Sequence, residues 1–228
     1  SPFEQVQTLL KPGMRAISVL GKVFTASWML MGMEGFCEGL YTDPTLVEAL
    51  VEKVGRIQTQ VAERVVKLDS VGALWMPDDV AYHTGTIIDP GWLAEHVFGH
   101  YRRIVEIAHG AGKPVIYHSD GDVTALLPVF RDVGFDALHP IEPESMDIYA
   151  LREQVGKDLC LVGNVRVDTL SRGTPDDVRQ LVRERIERLG YEGAYIVGSS
   201  NSVPNYVPIE NYRAMLETVA EHARVPVS

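Results

Sequence analysis

The chain has 228 residues, of which 46% are hydrophobic and 23% are charged, and its formal net charge at pH 7 is −10. The composition is typical of a globular protein, and the acidic balance excludes nucleic acid as a general partner because phosphate binding needs a basic face. No run of about 18 apolar residues occurs, so no transmembrane helix and no membrane association are expected.

Short β-rich runs alternate with longer helical patterns along the chain. The predicted strands are Ala16–Leu20, Val71–Met76, Pro114–Tyr117, Asp136–Leu138, Leu159–Val162 and Ala194–Val197. Most are continuous apolar runs, which is typical of a parallel sheet covered by helices. The pattern fits an open doubly wound sheet or a (β/α)8 barrel. No G-x-G-x-x-G turn follows a strand, so a dinucleotide-binding fold lacks its main signature.

Helix starts are marked by a capping residue, in most cases followed by proline. The predicted helices run from Asp43-Pro44 to about Lys67, from Asp89-Pro90 to about His109, over Val123–Val133 after Asp122, over Asp176–Leu189 after Thr174-Pro175, and onward from Pro208. The first has a predicted apolar stripe of Leu46, Leu50, Val54, Ile57, Val61 and Val65. We predict a single domain over residues 1–228.

Polar side chains follow five consecutive strands. They are Asp78 and Asp79, then His118 and Asp120, then His139 and Glu142, then Asn164, and finally Ser199 and Asn201. In a parallel barrel such strand ends meet on one face, where active sites form. Crowded carboxylates repel one another unless a cation relieves them. A metal or a cationic substrate is therefore expected at this face.

The sequence YHSDGD, residues 117–122, carries the densest group of such side chains. His118-x-Asp120 can direct two ligands to one divalent metal, whereas Asp122 is predicted to cap the following helix. Further candidate ligands are Glu34, Asp78, Asp79 and Glu142, and Trp28 and Glu34 follow a strand and are expected to cover the site. The other histidines, His83, His96, His100, His109 and His222, are predicted to be solvated or packed. Cys37 and Cys160 lie in apolar contexts and are predicted to be buried thiols.

The order of these motifs resembles the uroporphyrinogen decarboxylase family, which includes corrinoid-linked methyltransferases. The matching segments are FTASWMLMGMEG, LYTDPTLVEAL, KPVIYHSDGDVTALLPVFRDVGFDALHPIEP, LVGNVRVDTLSRGTPDDV and SSNSVPNYVPIENYRAM. The resemblance implies a (β/α)8 barrel of the TIM type from which about two N-terminal βα units are missing in this chain. Open sheet edges would then pair with a missing N-terminal segment, with a partner segment or with a second copy in a homo-oligomer.

The two branches of the family have different requirements. The decarboxylases bind their polyanionic tetrapyrrole through an arginine-rich loop without counterpart here. The methyltransferases hold zinc with an H-x-C pair and a later cysteine. His118 matches that histidine, Asp120 stands in the place of the first cysteine, and Ser200 or Asn201 replaces the second. Zinc accepts carboxylate oxygen, so a divalent metal is predicted, with zinc as one candidate.

We therefore predict metal-assisted methyl transfer between a small methylated substrate and a corrinoid or thiol acceptor, the corrinoid being carried by a partner protein. A porphyrinogen carboxy-lyase and a non-catalytic ligand-binding homologue are the alternatives. The predicted residues are His118, Asp78, Asp79 and His139 for catalysis, Trp28, Glu142, Asn164, Ser199 and Asn201 for substrate, and His118, Asp120 and Glu34 for metal. The thiols and the absence of a signal peptide predict a cytoplasmic protein.

Overall fold

The computed structural model describes residues 2–191 and 193–222, and these divide into two compact units between Ala137 and Leu138. In the first unit the elements are α1 (Pro2–Leu9), β1 (Ala16–Val19), α2 (Val23–Met31), α3 (Met33–Thr42), α4 (Pro44–Val65), β2 (Val71–Pro77), β3 (Ala81–Tyr82), β4 (Gly85–Thr86), α5 (Pro90–His96), α6 (Phe98–Gly110), β5 (Val115–His118), a 3-10 turn (Thr124–Leu126) and α7 (Leu127–Val133). Strand β6 (Ala137–His139) lies at the boundary. The second unit contains α8 (Ile148–Val155), β7 (Cys160–Val165), α9 (Val167–Arg172), α10 (Pro175–Arg185), a π-helical turn (Ile186–Gly190), β8 (Tyr195–Ser199) and α11 (Ile209–His222).

Strand β2 is the centre of the sheet in the first unit and pairs in parallel with β1 and β5. The register sets Val19 opposite Trp75, and Pro77 opposite His118. Leu74, Met76 and Tyr117 are fully buried, whereas Ile17 and Val19 are 52% and 65% exposed. Side chains alternate between the two faces of a strand. The sheet of this unit therefore has one packed face and an opposite face that is open at β1.

In the second unit β7 pairs in parallel with β8, and Asn164 lies opposite Gly198. A core cluster joins the end of β7 to the helices that follow it, with Val165, Leu170, Val178, Val182 and Met215 among its members. Strands β1, β2, β5, β6, β7 and β8 are each followed by helix, so the described residues contain six βα units where a complete (β/α)8 barrel has eight. The predicted α/β class of barrel type, with about two units fewer, is confirmed.

Three predicted helix starts are confirmed. The Asp43 carboxylate accepts a hydrogen bond from the backbone N–H of Leu46, and Asp89 accepts one from Trp92. Thr174 begins α10 with a capping box, in which its hydroxyl and the Asp177 carboxylate each bind the other residue's backbone N–H. Among residues 2–191 and 193–222, no helix combines the length and apolar composition needed to span a bilayer.

Several details differ from the sequence-based expectation. The helix predicted after Asp89 is two helices, α5 and α6, and the last part of the helix after Thr174 is the π-helical turn. The buried stripe of α4 is Val47, Val51, Val54, Ala62 and Val65, and the predicted Leu46, Ile57 and Val61 are exposed. The α4 sequence has apolar residues at adjacent positions, so two neighbouring stripes fit helical spacing equally well. Cys37 and Cys160 were predicted to be buried, which is wrong, because both are partly exposed.

Candidate functional site

The Asp78 carboxylate at the end of β2 is fully buried and lies at the start of α2. It accepts hydrogen bonds from the backbone N–H groups of Phe24 and Thr25, both at 2.7 Å, and from the Tyr101 hydroxyl. The N-cap residue of α2, Lys22, makes no side-chain cap. Asp78 therefore supplies the cap from another element and places negative charge at the positive end of the helix dipole.

Burial raises the pKa of Asp78 to about 6, and the hydrogen bonds from Tyr101, Thr25 and Phe24 oppose that rise. Burial also raises the pKa of Tyr101 and of Tyr117 well above the usual value, so both hydroxyls remain donors. The Tyr117 hydroxyl donates to the Asp78 carbonyl oxygen at 2.9 Å. These contacts make Asp78 a link between β2, α2 and α6; its predicted catalytic role stays a prediction.

The next residue, Asp79, belongs to a group of three potential metal ligands with His118 and Asp120. One ligand atom from each lies within 4.8 Å of the others. His118 Nε2 is 3.6 Å from Asp79 Oδ1 and 3.7 Å from Asp120 Oδ1. The Asp120 backbone N–H donates to Asp79 Oδ1 at 3.0 Å, which ties the two acidic segments together. We call these three residues the Asp79 group.

The loop that carries Asp120 is held against the β3–β4 hairpin. Gly121 has a φ of +85°, and a Cβ there would meet the backbone of Ala81 and Tyr82 at 2.6 to 2.7 Å, so only glycine fits. The Asp122 N–H donates to the Tyr82 carbonyl oxygen at 2.8 Å. The Asp122 carboxylate accepts from the Thr124 N–H at 2.9 Å, one residue before the N-cap position, Val123. The single helix predicted over Val123–Val133 is a 3-10 turn followed by α7, so Asp122 binds the start of that turn and not the start of an α-helix. The sequence YHSDGD therefore combines potential metal ligands with a carboxylate that binds the start of the following turn.

The donor set of the Asp79 group fits a divalent cation. Bond lengths of 2.0 to 2.2 Å around a tetrahedral ion place neighbouring ligand atoms about 3.4 Å apart. The two nitrogen–oxygen separations at His118 are close to that value and exceed an ordinary hydrogen bond. One imidazole and two carboxylates leave a fourth position for another ligand, as in catalytic zinc sites.

Two other predicted residues of the first unit have different surroundings. Glu34 is exposed in the first turn of α3 and is not a member of the Asp79 group, so its predicted role as a metal ligand stays a prediction. Trp28 is half-buried on α2, and its buried Nε1 has no hydrogen-bond partner in the described part of the chain. A different tryptophan, Trp75, lies beside the group, with its ring centroid 6.0 Å from that of His118.

The candidate residues of the second unit occupy strand ends and the loops after them. His139 ends β6, Glu142 follows in the next loop, and Ser199 ends β8 with its hydroxyl bonded to the Asn201 carbonyl oxygen at 2.5 Å. Asn164 is buried in β7; its amide donates to the Ile141 carbonyl oxygen at 2.6 Å, and its oxygen accepts from Arg185 Nε at 2.8 Å. Arg185 lies on a helix 21 residues further along, and no sequence signal identified it.

The remaining histidines make packing or surface contacts. His96 stacks on Trp92 at 4.6 Å between ring centroids, His109 bonds Asp136 at 2.8 Å, and His222 Nδ1 lies 2.9 Å from a backbone carbonyl oxygen. His100 Nε2 lies 3.3 Å from a Glu52 oxygen. In the described ranges, these residues do not join the Asp79 group.

Comparison with solved structures gives relatives that share the fold. A methyltransferase from Methanosarcina mazei superposes with a TM-score of 0.79 at 18% identity, covering 96% of this chain and 62% of the methyltransferase. A chain assigned as a vitamin-B12-independent methionine synthase from Listeria monocytogenes superposes with a TM-score of 0.56 at 14% identity, covering 96% of this chain and 68% of the other.

A search of curated proteins finds no match. The family model for uroporphyrinogen decarboxylase, in contrast, matches residues 3–222, which is nearly the whole sequence. The match includes residues of both compact units, whereas the resemblance seen in the sequence was limited to short segments. The chain belongs to the uroporphyrinogen decarboxylase family.

Proposed function

We propose that the protein catalyses metal-assisted methyl transfer between a small methylated substrate and a thiol or a corrinoid carried by a partner protein. The observation that carries this proposal is the Asp79 group, which brings one imidazole and two carboxylates within 4.8 Å at the ends of β2 and β5. This donor set suits a divalent cation, whereas a polyanionic porphyrinogen would need cationic side chains there. Zinc is one candidate because it accepts both nitrogen and oxygen ligands.

Each residue of the group has a distinct part in this proposal. His118, 16% exposed, would bind the cation through an imidazole nitrogen. Asp79 and Asp120 would supply anionic oxygens, and the hydrogen bond between them holds the two segments together. When bound, the cation would act as a Lewis acid that favours the thiolate of the acceptor or polarises the heteroatom bearing the methyl group.

Other residues would shape the substrate site. Trp75 offers an apolar surface next to His118, and we propose that the substrate body lies against it. The methyltransferase relative supports this reaction class, but this chain spans 62% of its length, so its activity and a corrinoid partner stay proposals for this protein. The roles of His139, Glu142, Ser199 and Asn201, and the cytoplasmic location, also stay predictions.

The test measures metal content, melting temperature and turnover for three variants. His118→Ala should lose the stoichiometric metal and the methyl transfer from methylcobalamin to a small thiol, while its melting temperature measured without metal stays close to wild type. His83→Ala, an exposed histidine of the same unit, is the matched control and should keep both. Asp122→Ala should keep the metal but lose about 1 kcal/mol of stability, as a missing cap does.

Other outcomes would favour the alternatives. A metal-free protein that decarboxylates a porphyrinogen would identify a carboxy-lyase. A protein that binds metal and ligand without turnover would identify a binding homologue. Retention of metal and activity by His118→Ala would overturn the proposal.

A further inference from the structure

The second unit contains a cavity of about 430 Å³ that no step of the proposed reaction uses. It lies between the loop after β6, the end of β7 and α10. Its lining includes Ser145, Asp147, Tyr149, Asn164, Arg166 and Arg185. This volume suits a small molecule, and a few polar groups on such a lining usually fix its orientation.

Arg185 is the central cation of this cavity, with only 11% of its side chain exposed. Its Nε donates to Asn164 Oδ1 at 2.8 Å, and its Nη1 donates to the Tyr149 hydroxyl and, at 3.4 Å, to Glu184. Within the described residues, Nη2 has no hydrogen-bond partner. Because the other two nitrogens fix the plane of the guanidinium, Nη2 presents its N–H groups in a set direction.

A second polar group of the same lining is also without a partner. The Ser145 hydroxyl oxygen is buried and makes no hydrogen bond to any residue that the structure describes. Leaving such a group unpaired costs free energy, and native proteins usually satisfy it with protein, water or ligand. The lining residues therefore include a buried hydroxyl and a guanidinium nitrogen that have no hydrogen-bond partner in the described part of the chain.

The acidic side chains around the cavity are already engaged. Glu144 pairs with Arg166 at 2.9 and 2.7 Å, and Asp147 caps α8 by accepting from the Tyr149 and Ala150 N–H groups. Glu184 accepts from the Tyr149 hydroxyl at 2.7 Å and lies 3.4 Å from Arg188. These carboxylates already accept hydrogen bonds from other groups. The Arg185 guanidinium can therefore still donate a hydrogen bond to a ligand that supplies an acceptor.

We infer that this cavity binds a small oxyanion, a carboxylate or a phosphate monoester, whose oxygens accept hydrogen bonds from Arg185 Nη2 and Ser145 Oγ. Guanidinium and hydroxyl donors are a common pair for such groups, because charge-assisted bonds to a planar guanidinium are strong and directional. Asn164, predicted as a substrate-binding residue, would act here as a positioning residue that orients Arg185. The inference is independent of the proposed methyl transfer, which rests on the Asp79 group of the first unit.

The test is calorimetric titration of the full chain with succinate, with inorganic phosphate and, as a neutral comparison, with succinamide. One of the two anions should bind with one-to-one stoichiometry, and succinamide should not bind. Arg185→Gln should weaken binding by about tenfold or more, and Ser145→Ala by about fivefold. Arg183→Gln removes the same charge from an exposed position of α10 outside the lining, and should bind like wild type. The anion that binds more tightly, succinate or phosphate, shows whether the ligand is a carboxylate or a phosphate monoester.

The Arg185→Gln variant also removes the contacts with Asn164 and Tyr149, so its circular dichroism should be checked first. If Arg185→Gln is unfolded, the binding measurement on Ser145→Ala tests the inference instead. That change breaks no hydrogen bond of the Ser145 side chain in the described part of the chain. A shift of the Arg185 Nε resonance on titration should accompany binding. No heat with either anion at millimolar concentration, or equal binding by wild type and Ser145→Ala, would overturn the inference.

Discussion

Asp78 and Asp79 are consecutive in the chain, yet the Asp78 carboxylate is completely buried at the start of α2 while the Asp79 side chain is 53% exposed beside His118. Successive residues at a strand end point in opposite directions. The same two-residue sequence therefore supplies one carboxylate to the helix layer and one to the candidate metal site. The two residues should respond differently to mutation.

Asp78→Ala should reduce the free energy of unfolding by about 3 kcal/mol, because it leaves two buried N–H groups of α2 without their acceptor. It also removes one of the two acceptors of the Tyr101 hydroxyl, whose other acceptor is the Gly21 carbonyl oxygen. Asp78→Asn keeps an acceptor oxygen and should lose less. Urea denaturation of both variants, with Asp79→Ala as the exposed neighbour, measures the difference. An Asp78→Ala protein as stable as Asp79→Ala would contradict the capping role.

Asp79→Ala should lose most of its bound metal, whereas Glu34→Ala should keep it. Asp79 lies within the three-residue group, and Glu34 is an exposed residue of α3 outside that group. Both changes remove one carboxylate from the first unit, so net charge is matched. Metal content after dialysis against a weak chelator checks the prediction, and loss of metal from Glu34→Ala alone would restore the ligand set predicted from the sequence.

Gly121→Ala should weaken metal binding by at least about tenfold and lower the melting temperature, because the new Cβ would collide with the backbone of Ala81 and Tyr82. Gly112→Ala is a suitable control. Gly112 also has positive φ, at +66°, but nothing lies within 4 Å of its Cβ position. Gly112→Ala should reduce the free energy of unfolding by only about 1 kcal/mol, the penalty for alanine in the left-handed backbone region, and should leave metal binding unchanged. Equal effects from both changes would mean that the hairpin contact does not position Asp120.

The stability of the first unit should fall as pH drops below 6.5, in part through His100. Burial lowers the pKa of His100, against the opposing field of Glu52 and with a smaller contribution from Arg56. Below 6.5 the unfolded chain therefore takes up a proton at this position that the folded chain resists, which favours unfolding. His100→Gln should reduce the acid-induced decrease in melting temperature, and His83→Gln should not. An unchanged pH profile for His100→Gln would exclude this contribution.

Elements with local signals were predictable from the sequence. Asp43, Asp89 and Thr174 were identified because a cap and a following proline act within one turn of helix. The six parallel strands were found because buried strands are apolar runs. The hairpin β3–β4 was missed because its strands have two residues each and no periodicity.

The site was only partly predictable, for a different reason. His118 and Asp120 follow one strand and were identified together, but sequence gave no measure of whether Glu34 or Asp79 would lie near them. Parallel register brings Pro77 level with His118, which places Asp79 close to the imidazole. Arg185 was not identified because its link to Asn164 is a contact between a helix and a strand 21 residues apart.

The close contact of Gly121 with the β3–β4 hairpin affects which cations the Asp79 group can bind. The loop packs closely on the hairpin at Gly121, and the backbone hydrogen bonds of Asp122 to Tyr82 and of Asp120 to Asp79 favour one spacing between the two carboxylates. Calcium needs six to eight oxygen ligands at about 2.3 to 2.6 Å and tolerates flexible sites, whereas small transition ions bind well with about four ligands at 2.0 to 2.2 Å. We therefore expect the Asp79 group to discriminate by ionic radius, and to exclude calcium even where calcium is in large excess.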